Sequence, residues 1–230
     1  FALHANAQVI ISNPALPTAT DSVIITFNAT GTPLESYSGV VYAHTGVILA
    51  GNAQWQQVIG TWGNNSTQPA LTRISETQYQ LKIRPSIREF YNVSQTATIQ
   101  KMAFVFRDDK QSGNSQTTDL FVDVVQAGLT VRINTPTVME SLYEFNENVQ
   151  ISVSANGTQN LTLLIDNVQV SQTSQTSISY TYVANSYGTK WIKAVGTNGT
   201  TTETDSMAIF VRSSVPVAEI PSGLVPGINY

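Results

Sequence analysis

Apolar and polar positions alternate with a period of two along most of the chain, and no stretch holds a helical apolar period for three turns. In the first half Val23-Ile24-Ile25-Thr26-Phe27 follows the turn formers Asp21-Ser22. Further strands are expected at 40–44, 55–59, 79–83, 102–107 and 120–125. Between them Gly31-Thr32-Pro33, Gly51-Asn52, Gly63-Asn64-Asn65 and residues 108–114 concentrate side chains that tolerate positive φ or fix φ, as sandwich loops require. A second series follows Gly128, at 129–133, 149–153, 161–165, 178–182, 190–195 and 207–211. The pattern predicts an all-β chain of two tandem antiparallel β-sandwiches.

The two series meet at Gln126-Ala127-Gly128, where one alternating strand stops and another starts almost at once. Domains are therefore expected at 8–127 and 128–213, joined by a short junction. From residue 214 onward three prolines deny ladder pairing and favour an extended linker, so 214–230 reads as a tether to a further module. At the other end Ala5-Asn6-Ala7 is a small-x-small triplet like a signal-peptide cleavage site, and residues 1–7 read as its remnant. Export to the cell surface or medium is the expected localisation. No apolar run approaches the roughly 20 residues that span a bilayer, so no membrane span is expected.

Polarity in this chain is carried by uncharged groups. Ser, Thr, Asn and Gln make up 84 of 230 residues, against a charged fraction of 11%. Eleven basic and fifteen acidic residues leave a net charge of −4, which disfavours nucleic acid as a partner. Zero cysteines remove thiolate metal sites, disulfides and cysteine nucleophiles, and two histidines leave little for a metal centre or a proton relay; no cofactor is expected.

Hydrolysis of a glycosidic bond needs two carboxylates roughly 5 to 9.5 Å apart in a cleft. The acids here show no such grouping: Asp108-Asp109 read as solvated turn residues, and Glu140, Glu144 and Glu147 as a loop before Val149. No Gly-x-Ser-x-Gly elbow is present. The fragment is expected to be non-catalytic.

What remains is aromatic and amide chemistry. Sugars present an apolar C–H face that stacks on Trp or Tyr and a rim of hydroxyls that pair with amides, His and carboxylates. Tyr42 and His44 share one face of a strand, and Trp55 and Trp62 stand seven apart around Gly60. Trp62 is followed by Gly63-Asn64-Asn65-Ser66-Thr67-Gln68, a run too polar for a core. One reading makes Tyr42, Trp55 and Trp62 a stacking platform with His44, Asn64, Asn65 and Gln68 as hydroxyl partners. The other sends Tyr42 and Trp55 into the core and leaves His44 capping a strand end. Phe104 and Phe106 are expected in the core, with Arg107 extending to solvent. In the second domain, alternation puts Ile192, Ala194 and Gly196 inside and Trp191 and Val195 outside. An outward Trp191 is either an interface residue or a sugar platform.

The residues Ile133-Asn134-Thr135-Pro136, Asn148-Val149-Gln150-Ile151, Leu163-Leu164-Ile165-Asp166-Asn167 and 187–194 resemble the bacterial immunoglobulin-like modules of secreted glycan-active proteins. Residues 40–47, Trp55 to Gly63 and Phe104-Val105-Phe106-Arg107-Asp108 look like the N-terminal β-sandwich that precedes the catalytic barrel in secreted alpha-amylase-type glycoside hydrolases of the Bacteroidetes kind. Ile220-Pro221-Ser222-Gly223-Leu224 resembles the linker into the next module there. Asp21-Ser22-Val23 and Asp205-Ser206-Met207 match the sites at which such bacteria O-glycosylate exported proteins. The resemblance implies an accessory region of a starch-degrading enzyme, with domain one binding α-glucan, domain two an immunoglobulin-like spacer, and a downstream catalytic module as partner in the same chain. Its rivals are a purely structural spacer and a surface adhesin fragment with a protein ligand.

Overall fold

A computed structural model describes residues 9–110 and 115–213. The expected signal remnant 1–7 and linker 214–230 lie outside the described residues. Two compact units emerge: one of residues up to Thr130 together with Ser154–Gly157, the other of Val131–Val153 and residues from Thr158 on.

The first unit runs β1 (Ile10–Asn13), β2 (Val23–Asn28), β3 (Tyr42–Leu49), β4 (Gln56–Ile59), β5 (Thr72–Arg73), β6 (Gln78–Ile83), a single helical turn α1 (Ile87–Phe90), β7 (Ile99–Arg107) and β8 (Leu120–Asp123). Two four-stranded sheets form, β1-β2-β6-β5 and β4-β3-β7-β8. Strict alternation in β2 buries Val23, Ile25 and Phe27, and its partner β6 buries Tyr79, Leu81 and Ile83 in register. The other sheet answers with Ala43 and Val47 of β3 and Met102, Phe104 and Phe106 of β7. Phe27 stacks on Phe106 with ring centroids 4.4 Å apart, joining the sheets across the core. Thr45 is the polar member of this layer. Its hydroxyl donates to the Ala103 carbonyl at 2.9 Å and meets the buried Tyr91 hydroxyl at 2.6 Å, so every buried group there is paired.

Alternation predicts that the second face of β7 meets water, yet Ala103, Val105 and Arg107 are buried as fully as their core-facing neighbours. Something covers the outer face of this sheet. Arg107 is 1% exposed, which corrects the expectation that it reaches solvent, and Asp108 is buried too rather than a solvated turn acid. The Asp108 carboxylate accepts from the backbone amides of Lys110 and Ser115. A buried carboxylate is tolerated where amides saturate it.

The second unit holds most of β9 (Thr130–Thr135) and β11 (Asn148–Asn156), whose ends Thr130 and Ser154–Asn156 fall in the first, together with β10 (Ser141–Glu144), β12 (Asn160–Ile165), β13 (Val168–Thr173), β14 (Ser177–Val183), β15 (Gly188–Thr197) and β16 (Thr202–Arg212). A five-stranded sheet, β10-β16-β15-β12-β13, and a three-stranded one, β14-β11-β9, supply the layers. Leu161, Leu163 and Ile165 of β12 pair with Gly196, Ala194 and Ile192 of β15, so the inward positions expected on β15 are those observed. Asp166 and Asn167 both take positive φ and close the β12–β13 hairpin as a two-residue turn. The segment carrying Glu140, Glu144 and Glu147 is not all loop. Residues Ser141–Glu144 pair in parallel with β16, and Glu144 forms an ion pair with Arg212.

Candidate functional site

The outer face of β4-β3-β7-β8 is covered by its own aromatic side chains. Alternation in β3 sends Thr45 inward and His44 outward, opposite Val105 of β7. Gly46 follows on the same face, and a Cβ there would stand 2.9 Å from the Gln56 carbonyl, so glycine lets β4 lie close against β3. Trp55, just before β4, stacks nearly parallel on His44 at 5.6 Å and 21°. Trp62 meets His44 in a T-shaped arrangement at 4.8 Å and 82°. Phe121 of β8 meets the edge of Trp55 at 6.4 Å. Four rings thus run across the sheet in the order Trp62, His44, Trp55, Phe121.

A cleft of about 360 Å³ opens beside His44, Trp55 and Trp62, its lining completed by Val58, Val105, Gln54, Gln116 and Asp119. Trp62 is 47% exposed and Trp55 half-buried, while neither joins the hydrophobic core. Phe121 also borders a second cleft of about 410 Å³ with Ile48, Asn52 and Lys101, where Lys101 pairs with Asp123 at 2.9 Å.

Gly60 takes φ of +71°, and a Cβ there would fall 2.4 Å from the Thr67 carbonyl oxygen. The chain therefore turns back sharply after β4 and brings Trp62 over the sheet. Asn64 accepts from the Ser66 amide and hydroxyl through Oδ1, which ties the turn 64–67. Asn65 donates from Nδ2 to the Asp109 carbonyl at 2.7 Å and accepts from Arg107 through Oδ1. Gln68, 5% exposed, accepts from Arg107 Nε at 2.8 Å and donates from Nε2 to His44 Nδ1 at 2.9 Å.

The structure therefore brings His44, Trp55 and Trp62 together at one cleft, which Tyr42, Asn64, Asn65 and Gln68 do not line, although Gln68 bonds directly to His44. Asn64, Asn65 and Gln68 spend side-chain groups on the protein itself and buttress the loop rather than line the cleft. Tyr42 stands apart from the ring row, with the Arg107 guanidinium 5.6 Å from its ring centre. Neither Tyr42 nor Trp55 enters the core, and His44 caps no strand end.

Gln54, Gln116, Asp119, Phe121 and Arg107 were not expected at the site. The signal for two of them is local, since Asp119 and Phe121 share a face two residues apart on the approach to β8. Arg107 carries no such signal, because only the tertiary cover over β7 distinguishes it from an exposed strand-end arginine. His44 titrates below the ordinary histidine range, chiefly because burial disfavours its charged form and secondarily because Arg107 is near; Asp119 pulls the other way.

In the second unit Trp191 is 56% exposed on the outer face of β15. Among the described residues no three His, Asp or Glu side chains converge as a metal site, and no helix is long and apolar enough to cross a membrane.

No protein-family model matches the chain, and no curated protein is similar enough to match. Among solved structures, fibronectin(III)-like modules of Clostridium thermocellum CbhA match over 37% of this chain and 98% of theirs, at 14% identity and TM-score 0.33. The Bacteroides ovatus mixed-linkage glucan utilization locus protein SGBP-B, solved with a mixed-linkage heptasaccharide, matches over 86% of this chain and 43% of its own, at 13% identity and TM-score 0.29. The titin domains z1z2, solved with telethonin, match over 91% and 99%, at 14% identity and TM-score 0.28. At TM-scores this low the likenesses carry nothing over to this chain.

Proposed function

We propose that this chain is a non-catalytic, carbohydrate-binding accessory region of a secreted starch-degrading enzyme, in which the first unit holds α-glucan on the outer face of β4-β3-β7-β8 and the second is a spacer. One observation carries the reading: an exposed Trp62 and a half-exposed Trp55 flank His44 in a cleft also lined by two amides and a carboxylate. Rings that a fold leaves partly in water, with polar groups at their edges, suit a ligand with an apolar face and a hydroxyl rim. The choice of α-glucan rests on the resemblance carried by residues 40–47, 55–63 and 104–108. A pair of stacking rings, at a rough 1–3 kcal/mol each by analogy with base stacking and offset by ordering costs, gives dissociation constants near millimolar to tens of micromolar.

Affinity electrophoresis tests this directly. Amylopectin in the gel is expected to retard the protein, glycogen similarly, and laminarin less. Free migration in all three gels would leave the spacer role alone standing. Retardation by laminarin only would move the ligand to a β-glucan and separate the chain from starch.

A further inference from the structure

Arg107 is a cation that carries donors and no acceptor, and it is never neutral in a protein. That single fact propagates. Its Nε donates to Gln68 at 2.8 Å, so the atom of the Gln68 amide facing it must be the oxygen. The other end of the same amide is then an NH2 group, and it lies 2.9 Å from His44 Nδ1. An NH2 group only donates, so Nδ1 must be the bare, accepting nitrogen. Asn65 repeats the pattern: its oxygen faces the guanidinium and its nitrogen donates to the Asp109 carbonyl. Arg107 is in turn fixed by donating to the Asp108 carbonyl at 2.8 Å and by lying over Tyr42.

We infer that Arg107, acting through Gln68, holds His44 as the neutral tautomer with its proton on Nε2, so that the middle of the aromatic cleft offers a hydrogen-bond donor and selects ligands that present an oxygen acceptor there. Arg107 and Gln68 are positioning residues; His44 is the group that meets the ligand. The ligand part rests on the carbohydrate reading above, and the tautomer part does not. Protonating Nδ1 would set two donors against each other across 2.9 Å, which opposes the cationic form in the same direction as burial and the Arg107 charge do. Among the described residues Asp119, on the approach to β8, favours the cation, while Trp55 and Trp62 bring no charge. No hydrogen bond from Nε2 is seen among the described residues, and His44 lines the cleft, where a sugar hydroxyl or ring oxygen would accept from it.

The chain has only two histidines, His4 and His44, so their imidazole nitrogens are separable by two-bond proton–nitrogen correlation NMR, with a His44→Gln spectrum for assignment. For the intact, ligand-free chain at neutral pH the expected His44 pattern is a protonated-type shift at Nε2 and a bare-type shift at Nδ1. A proton on Nδ1, or the averaged shifts of a mixed-tautomer imidazole, overturns the inference. Gln68→Glu replaces the donor at His44 with a carboxylate that still accepts from Arg107. Nδ1 is then expected to gain a proton and the titration midpoint to rise by about one pH unit or more; an unchanged spectrum in a folded Gln68→Glu protein also overturns it. Should that variant fail to fold, the wild-type spectrum decides alone. Adding maltoheptaose is expected to move the Nε2 proton and leave Nδ1 bare. Retardation in amylopectin with an unmoved Nε2 proton removes His44 as the donor to the sugar, whereas the expected tautomer with free migration in every gel sinks the carbohydrate reading and upholds the tautomer.

Discussion

Trp62 and Arg107 stand at opposite extremes of exposure and do complementary work, one offering a ring to the cleft and the other holding the loop that carries it. Trp62→Ala removes a ring that is 47% exposed and outside the hydrophobic core, so circular dichroism should be unchanged while binding to amylopectin weakens roughly tenfold, the effect of losing about 1.4 kcal/mol. Arg107→Met has the reverse signature. It strands the Gln68 and Asn65 oxygens and the Asp108 carbonyl in a buried place, and urea denaturation should show a loss of about 2–4 kcal/mol. A loss under about 0.5 kcal/mol, typical of an exposed surface position, would mean the guanidinium is not buried as described. Three further groups set the pH limits. His44 in the folded state titrates below its unfolded value, so the unfolded chain binds more protons between the two; stability is full above the unfolded pKa near 6.5 and declines as pH falls below it. Tyr37, pushed up to about 12 first by burial and then by its contact with Asp109, and Tyr91, pushed up by burial, behave oppositely. Their folded forms hold the proton longer, so stability present below pH 10 is lost as pH rises through the window toward 12. Melting temperature followed from pH 4 to 11 should fall at both ends.

Elements differ in how plainly the chain announces them. Alternation located β2, β6, β7, β12 and β15 because each lies inside a sheet and turns two or more side chains into a core. The strands it did not predict are β1, β5, β10 and β13, and all four are edge strands of their sheets. An edge strand is bonded on one side only and leans little on the core, so its residues need not alternate: Gln169 to Thr173 is almost wholly polar, and β5 is two residues long. The turn α1 had no periodic signal either, being four residues stabilised by the N-cap Ser86, which accepts from the Glu89 amide and donates to its carboxylate. Between β4 and β5 the decisive position is Gly60. Gly60→Ala introduces a side chain at positive φ and against the Thr67 carbonyl, so the loop must shift and carry Trp62 with it. The expected result is weakened amylopectin retardation, near that of Trp62→Ala, with a stability loss of about 1–2 kcal/mol. Retained binding in Gly60→Ala would show that Trp62 does not depend on this turn.

At the scale of the whole molecule each unit buries its own apolar set, which predicts that residues 8–127 fold without the rest and unfold as one cooperative transition. Because the aromatic row, its buttressing amides and Arg107 all belong to that span, the isolated fragment should also keep its retardation in amylopectin. Denaturant titration with two probes checks the first expectation, and non-coincident curves would contradict it. The intact chain, incubated with soluble starch, should release no reducing sugar above buffer; release abolished by a single Asp or Glu substitution would overturn the non-catalytic reading.

The sequence alone determined the all-β class, the inward residues of the central strands and the outward direction of Trp191, because a strand's two-residue period ties each side chain's face to its number in the chain. It also singled out Trp55, Trp62 and His44 as residue types suited to a sugar, without saying whether Trp55 belonged to the core. Only the tertiary structure decided that. A period of two assigns a side chain to one face of a sheet, but whether that face meets water depends on what another part of the chain lays across it. Here the loop after β4 returns to Arg107 and His44, covering an Arg107 that local pattern leaves in solvent and turning Asn65 and Gln68 from expected ligand partners into supports. Neighbours far apart in sequence, 39 residues for Arg107 and Gln68 and 24 for Gln68 and His44, set the charge and proton position at the centre of the cleft, and no local pattern encodes such a contact.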